Sequence, residues 1–204
     1  MLAASDLECV RGERRLFAGV SFSVSAGDGL MVQGANGAGK TSLLRIVLGL
    51  APPAHGEVTW DGAPIRSLGE TYRRAVLYCG HTNALKDDLS AVENLRTAAA
   101  LAGHAITRAQ ALGALARSGV ERAADLPVRN LSQGQKRRAA LARLALSREK
   151  LWVLDEPLAA LDTEGTQWLG EMLDAHLAAG GMALVTSHQP LTARAPLAAV
   201  RIGA

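Results

Sequence analysis

The chain has 204 residues, 49% of them hydrophobic and only 3% aromatic, and a formal net charge of +3. That length suits one compact domain and is marginal for two, and so mild a charge requires neither nucleic acid nor an anionic membrane as partner. No stretch approaches the ~20 consecutive apolar residues of a membrane helix, the start MLAASDLECV carries no secretory pattern, and Cys9 and Cys79 form no metal or disulfide pattern, so a reducing compartment is the default.

In chain order, Leu2–Val10 and Val20–Val24 read as short strands around an Arg-rich turn, Arg11–Arg15. Gly29–Gln33 is an apolar strand that runs directly into GANGAGKT, Gly34–Thr41. Lys40–Leu50 has helical character and meets Pro52 and Pro53, which cannot continue a helix. Glu57–Trp60 is a strand with a turn at Asp61-Gly62, and Ala75–Cys79 is a buried strand. From Ser90 to Ser118 the pattern is helical and Ala-rich. Gln133–Ser147 is a helix carrying Lys136, Arg137, Arg138 and Arg143, with Arg148 following, read as a solvated basic face. Leu151–Leu154 is a short apolar strand, and Thr163–Ala179 is a helix stopped by Gly180-Gly181. Met182–Thr186 is a strand, and Val200–Ile202 is the candidate last strand. Strands alternating with helices predict an α/β fold, with a strand-free helical block from Ser90 to Ser147.

GANGAGKT fits the phosphate-loop pattern G-x-x-x-x-G-K-[ST], in the strand–loop–helix context that pattern needs. Glycines let the backbone of Gly34, Ala35, Asn36, Gly37, Ala38 and Gly39 turn tightly and aim N–H groups at phosphate oxygens. The following helix adds its positive end. Lys40 reaches the β- and γ-phosphates of ATP, Thr41 ligates Mg²⁺, and Ser42 completes the loop. LWVLDE, Leu151–Glu156, delivers two carboxylates at a strand end, where α/β sheets bind ligands. Asp155 is the candidate Mg²⁺ ligand and Glu156 the candidate base for the attacking water. The alternative is that Asp155-Glu156 caps the next helix. His188, after the strand Met182–Thr186, is placed to contact the γ-phosphate.

A second motif, LSQGQ (Leu131–Gln135), has no use in a lone phosphate loop. With GANGAGKT, LWVLDE, the Ala160-Leu161-Asp162 turn and His188, it resembles in order and spacing the ATPase domain of ABC transporters, over essentially the whole chain. The resemblance implies a P-loop NTPase of the ABC type in residues 1–204. A mostly parallel sheet core would carry an N-terminal antiparallel β-subdomain and an inserted helical subdomain, roughly residues 85–147. It implies a head-to-tail homodimer with ATP sandwiched between subunits. Ser132, Gln133, Gly134 and Gln135 of one copy would touch the nucleotide of the other, with Asp162 at the dimer seam.

Two positions depart from the family. His81 stands where a Gln is usual, in register with Leu89–Leu95 downstream. The base-stacking aromatic is absent, and the matching place is near Arg11, whose planar guanidinium can stack instead. These departures, SFSVSAGDGLMVQGANGAGKT, ALARLAL and VTSHQPL resemble one branch of the family, the ATP-binding subunits of bacterial cytochrome c maturation systems. That resemblance implies integral membrane partner subunits and a peripheral place on the cytoplasmic face of the inner membrane. It also implies work on heme export or on release of a heme-loaded periplasmic chaperone. Nucleic acid is not an expected partner, and direct heme binding through Cys79 and His81 is not expected. An ABC ATPase for another substrate, or a soluble non-transport ABC ATPase, are the alternative readings.

Overall fold

The computed structural model describes residues 1–191 and 193–203. Strands β1 (Leu2–Arg11) and β2 (Arg14–Val24) form a long hairpin. Strand β3 (Gly29–Gln33) leads through the glycine loop into helix α1 (Lys40–Val47). Then come β4 (His55–Trp60), β5 (Ala63–Pro64), α2 (Ile65–Leu68), α3 (Glu70–Arg74) and β6 (Val76–Cys79). Helices α4 (Ala91–Leu101), α5 (Arg108–Arg117) and α6 (Gln133–Leu141) follow, with 3-10 turns around them. Strand β7 (Leu151–Asp155), helix α7 (Thr163–Ala178), β8 (Met182–Thr186) and β9 (Ala198–Arg201) complete the order.

The strands form two sheets. An antiparallel sheet has the order β2-β1-β4-β5, and a five-stranded sheet, parallel throughout, has the order β6-β7-β8-β3-β9. Every residue of β7 and β8 is buried, as continuous apolar runs in a covered parallel sheet require. One core cluster joins the antiparallel sheet and α1 to one face of the parallel sheet. Another packs α7 on the opposite face through Leu169, Leu173 and Leu177. A separate small-residue cluster, rich in Ala, holds α4, α5 and the C-terminal end of α6 together.

Several predicted boundaries shift, each for a local reason. The Arg-rich turn shrinks to Gly12-Glu13, because Arg14 and Arg15 already pair with Arg11 and Val10 across the hairpin. The helix after the glycine loop stops at Leu48, where Gly49 takes φ 69°, before either proline. The helical block from Ser90 to Ser118, read without an internal boundary, divides into two helices. Gly103 (φ 86°) ends the first, and Thr107 opens the second with a capping box to Gln110. The helix from Gln133 tightens to 3-10 at Ala142–Leu146. The segment between Gly62 and Ala75, without a predicted element, holds β5 and two short helices.

Candidate functional site

Three neighbouring strands, β7, β8 and β3, end on the same edge of the parallel sheet, and each carries chemistry on its last residues or just beyond. After β3 the loop closes on Gly39, the N-cap of α1, whose φ of 104° is left-handed. A Cβ there would stand 3.1 Å from the Phe17 ring, so glycine is required on both counts. Lys40 is buried, and its ammonium donates to the carbonyls of Gly34 (2.9 Å) and Ala35 (3.3 Å). It also lies 3.0 Å from His188 Nε2, a residue that follows β8. The loop is folded around its own cation.

Asp155, the last residue of β7, is 2% exposed, and both its oxygens are engaged. Thr41 donates to Oδ2 at 2.9 Å and Thr186 to Oδ1 at 2.7 Å. Thr41 and Asp155 thus present a hydroxyl and a carboxylate side by side. Hard oxygens of this kind suit Mg²⁺ when phosphates and water fill its remaining positions. No group of three or more His, Cys, Asp or Glu side chains able to hold a metal occurs among the described residues.

Glu156 has φ 47°, unusual for a side-chain-bearing residue. Its N–H donates to Thr186 Oγ1 at 2.8 Å, and its Oε2 accepts from the His188 N–H at 3.2 Å. Its Oε1 is buried, lies 3.4 Å from His188 Nε2, and has no hydrogen-bond donor among the described residues. The N-cap of α7 is Asp162, so the alternative that Asp155-Glu156 caps that helix is overturned.

These groups line one cleft of about 480 Å³. Asn36, Gly37, Gly39, Lys40, Thr41, Ser42, Asp155, Glu156 and His188 lie on its walls, and Arg11 closes the far end. Arg14 and Leu16 line the cleft too: Arg14 pairs with Arg11 across the hairpin, and Leu16 packs against the glycine loop, where a Cβ on Gly39 would stand 3.1 Å from its own. Gly34, Ala35 and Ala38 lie behind the wall. The first two give carbonyls to Lys40, and Ala38 is buried with its N–H on the Ala35 carbonyl.

Ser132, Gln133, Gly134, Gln135, Asp162 and His81 stand outside this cleft. Ser132 N-caps α6 in a reciprocal capping box with Gln135. Gly134 lies against the Ala160–Asp162 turn, where an added Cβ would be 3.1 Å from the Ala160 carbonyl. The Asp162 carboxylate caps α7 through the Gly165 N–H and pairs with Arg138, contacts that hold its pKa below the usual aspartate range. His81 is exposed.

The basic helix is not a solvated face. Arg137 and Arg138 are 3% and 7% exposed. Arg138 joins the Ser118 carbonyl, on α5's side, to Asp162. Arg137 binds only carbonyl oxygens: those of Gly80, Asp155, Glu156 and Pro157, and the side-chain amide oxygen of Asn83. Sequence reasoning missed both, since a buried arginine on a polar helix has no periodic signal. Cys79 packs in the apolar cluster under α7, and burial pushes its thiol pKa up.

Residues 17–159 match the protein family described as ABC transporter. The chain is 52% identical over 191 residues to the cytochrome c biogenesis ATP-binding export protein CcmA of Nitrosomonas europaea, covering 94% of this chain and 90% of that one. Its fold is similar to the solved structure of a putative ABC transporter ATP-binding protein from Pyrococcus furiosus (TM-score 0.85, 23% identity, 98% of this chain and 96% of that one). It is also similar to a dimeric ATP-binding cassette in a post-hydrolysis state bound to ADP and Pi (TM-score 0.78, 24% identity, 93% and 88%).

Proposed function

The chain belongs to the ABC transporter family of ATP-binding proteins, and from that premise we propose that it is the ATP-hydrolysing subunit of a membrane complex for cytochrome c biogenesis. The name carried by its relative at 52% identity supports that assignment. The observation that carries the chemistry is the convergence of Lys40, Asp155, Glu156 and His188 from three adjacent strand ends.

ATP lies with its triphosphate on the N-terminus of α1, where loop N–H groups and the helix dipole favour negative charge. Lys40 turns from the Gly34 and Ala35 carbonyls toward the β- and γ-phosphates. Mg²⁺ would be held by Thr41 and Asp155 and would neutralise charge on the phosphates. Glu156, on the cleft wall, accepts the proton of the attacking water. His188, within reach of both Lys40 and Glu156, orients the γ-phosphate and that water.

A second copy completes the site. Ser132 and Gly134, at the N-terminal turn of α6, lie outside the cleft of their own chain and suit the γ-phosphate held by a partner. Asp162, braced by Arg138, lies at the seam. A bridging phosphate binds the closed dimer far better than the open one, and only such a difference can drive closure. Hydrolysis removes it, and the dimer reopens.

No helix among the described residues is long and apolar enough to cross a membrane. Integral membrane subunits of the complex would supply the membrane part, with this subunit docked on the cytoplasmic face of the bacterial inner membrane. The stroke drives heme export or release of a heme-loaded chaperone. Glu156→Gln tests the chemistry. It is expected to abolish turnover, keep ATP binding, and trap a closed dimer visible by size-exclusion chromatography with ATP. Full turnover in that variant rules out Glu156 as the base.

A further inference from the structure

The Arg137 guanidinium sits at a junction of three segments. It projects from α6, the helix that begins at Ser132. Its Nη2 donates to the carbonyls of Glu156 (2.7 Å) and Asp155 (3.3 Å), and its Nε to that of Pro157 (3.2 Å). Its Nη1 donates to the Gly80 carbonyl (2.9 Å) and to Asn83 Oδ1 (3.2 Å), on either side of His81. It is 3% exposed and forms no ion pair with a carboxylate among the described residues. A buried cation without a counter-ion is costly unless neutral acceptors surround it, and here five do.

The Glu156 peptide is the strained part of this junction. A residue with a side chain held at φ 47° persists only where its surroundings over-determine it. Thr186 holds its N–H from one side, and Arg137 holds its carbonyl from the other. We propose that Arg137 is a positioning residue: it fixes the Glu156 carboxylate through the backbone behind it and ties that carboxylate to the segment Gly80–Asn83 and to α6. A shift of either segment is then felt at Glu156 without any contact to nucleotide. The proposal rests on the reading of Glu156 as the base.

Lysine preserves the charge but not the planar five-donor fork. The test uses the full chain, in excess over ATP, with single-turnover rates and mant-ATP affinity read separately. Arg137→Lys is expected to slow hydrolysis about 10- to 100-fold while the mant-ATP Kd stays within about 3-fold. Asn83→Ala leaves the three carbonyls at Asp155–Pro157 in place and is expected to slow it about 3- to 10-fold with Kd unchanged; it carries the test if Arg137→Lys fails to fold. A wild-type rate in a folded Arg137→Lys, a wild-type rate in Asn83→Ala where Arg137→Lys fails to fold, or a loss of rate matched by an equal loss of affinity overturns the proposal. Full turnover in Glu156→Gln alone takes down the base assignment and this inference together. An inactive Glu156→Gln beside a fully active Arg137→Lys takes down only the inference.

Discussion

Replacing Thr186 with Val removes one hydroxyl and almost no volume. That hydroxyl accepts the Glu156 N–H at 2.8 Å and donates to Asp155 Oδ1 at 2.7 Å, at a residue with no exposed surface. The Glu156 N–H is left without its acceptor, at a cost of about 1–3 kcal/mol, and the carboxylate loses a bond worth about 1.5–3 kcal/mol. The added methyl packs in the same space and returns about 1 kcal/mol. The net expectation is a loss of about 3 kcal/mol, or a Tm lower by about 6–12 °C for a chain of this size. Turnover should fall as well, because the Glu156 peptide is released on one side. Urea denaturation and ATP hydrolysis measure the two effects. Thr186→Ser, which keeps the hydroxyl and loses a methyl, should cost only about 1 kcal/mol and retain turnover. If Val is tolerated as well as Ser in both assays, the hydroxyl does not brace Asp155 and Glu156.

Ser132→Asp keeps a good N-cap for α6 but sets a carboxylate against the partner's triphosphate, about 4 kcal/mol per pair of unit charges at 4 Å in an effective dielectric of about 20. Mixed with an equally inactive Lys40→Met chain, it should regain turnover, because one of the two sites in a mixed dimer is then intact; two inactive chains that stay inactive when mixed exclude completion in trans. Arg11, Arg14 and Leu16 also line the cleft, and none of these side chains can accept a hydrogen bond, so they offer no side-chain acceptor to an adenine amino group, whereas the two guanidiniums can donate to guanine O6 and N7. GTP should therefore be hydrolysed with kcat/KM within about 10-fold of ATP; a preference for ATP above about 100-fold refutes this. Asp162 has its pKa depressed by the Gly165 N–H and by Arg138, so its contribution to stability is complete above the unfolded aspartate pKa and is lost as pH falls through the folded one. Asp162→Asn, also a good cap, should flatten the acid limb of a stability profile from pH 7 to 3, and an unchanged limb refutes the linkage. His81→Ala should uncouple ATP hydrolysis from cytochrome c assembly, read as holocytochrome yield per ATP; wild-type coupling excludes a signalling role.

The cleft was legible where its parts are local in sequence. Gly34 to Ser42 form strand, loop and helix in one run, and Asp155-Glu156 follow an unbroken apolar strand, so spacing alone located them. The break at Gly103 and the box Thr107-x-x-Gln110 were visible signals that the Ala-rich pattern on both sides obscured. Arg14 lines the cleft beside Arg11, its partner across the hairpin. Arg137 and Arg138 are adjacent in a polar run that reads as solvated. Only packing against segments 18 to 57 residues away, at Ser118, Gly80, Asp155 and Asp162, makes them interior. Tertiary contact of that kind has no footprint in periodicity.

The strand order β6-β7-β8-β3-β9 also governs when the cleft can exist during synthesis. Strand β3 is complete by Gln33, yet both its sheet neighbours lie beyond residue 181. At ~5–20 residues per second, the ribosome needs many seconds to produce them. Until then the glycine loop hangs from a strand with two bare edges, and the nascent polypeptide has no seat for a triphosphate. A half-made subunit therefore cannot fire prematurely, and removing the codons for β9 should leave the newborn chain dependent on chaperones rather than merely less active.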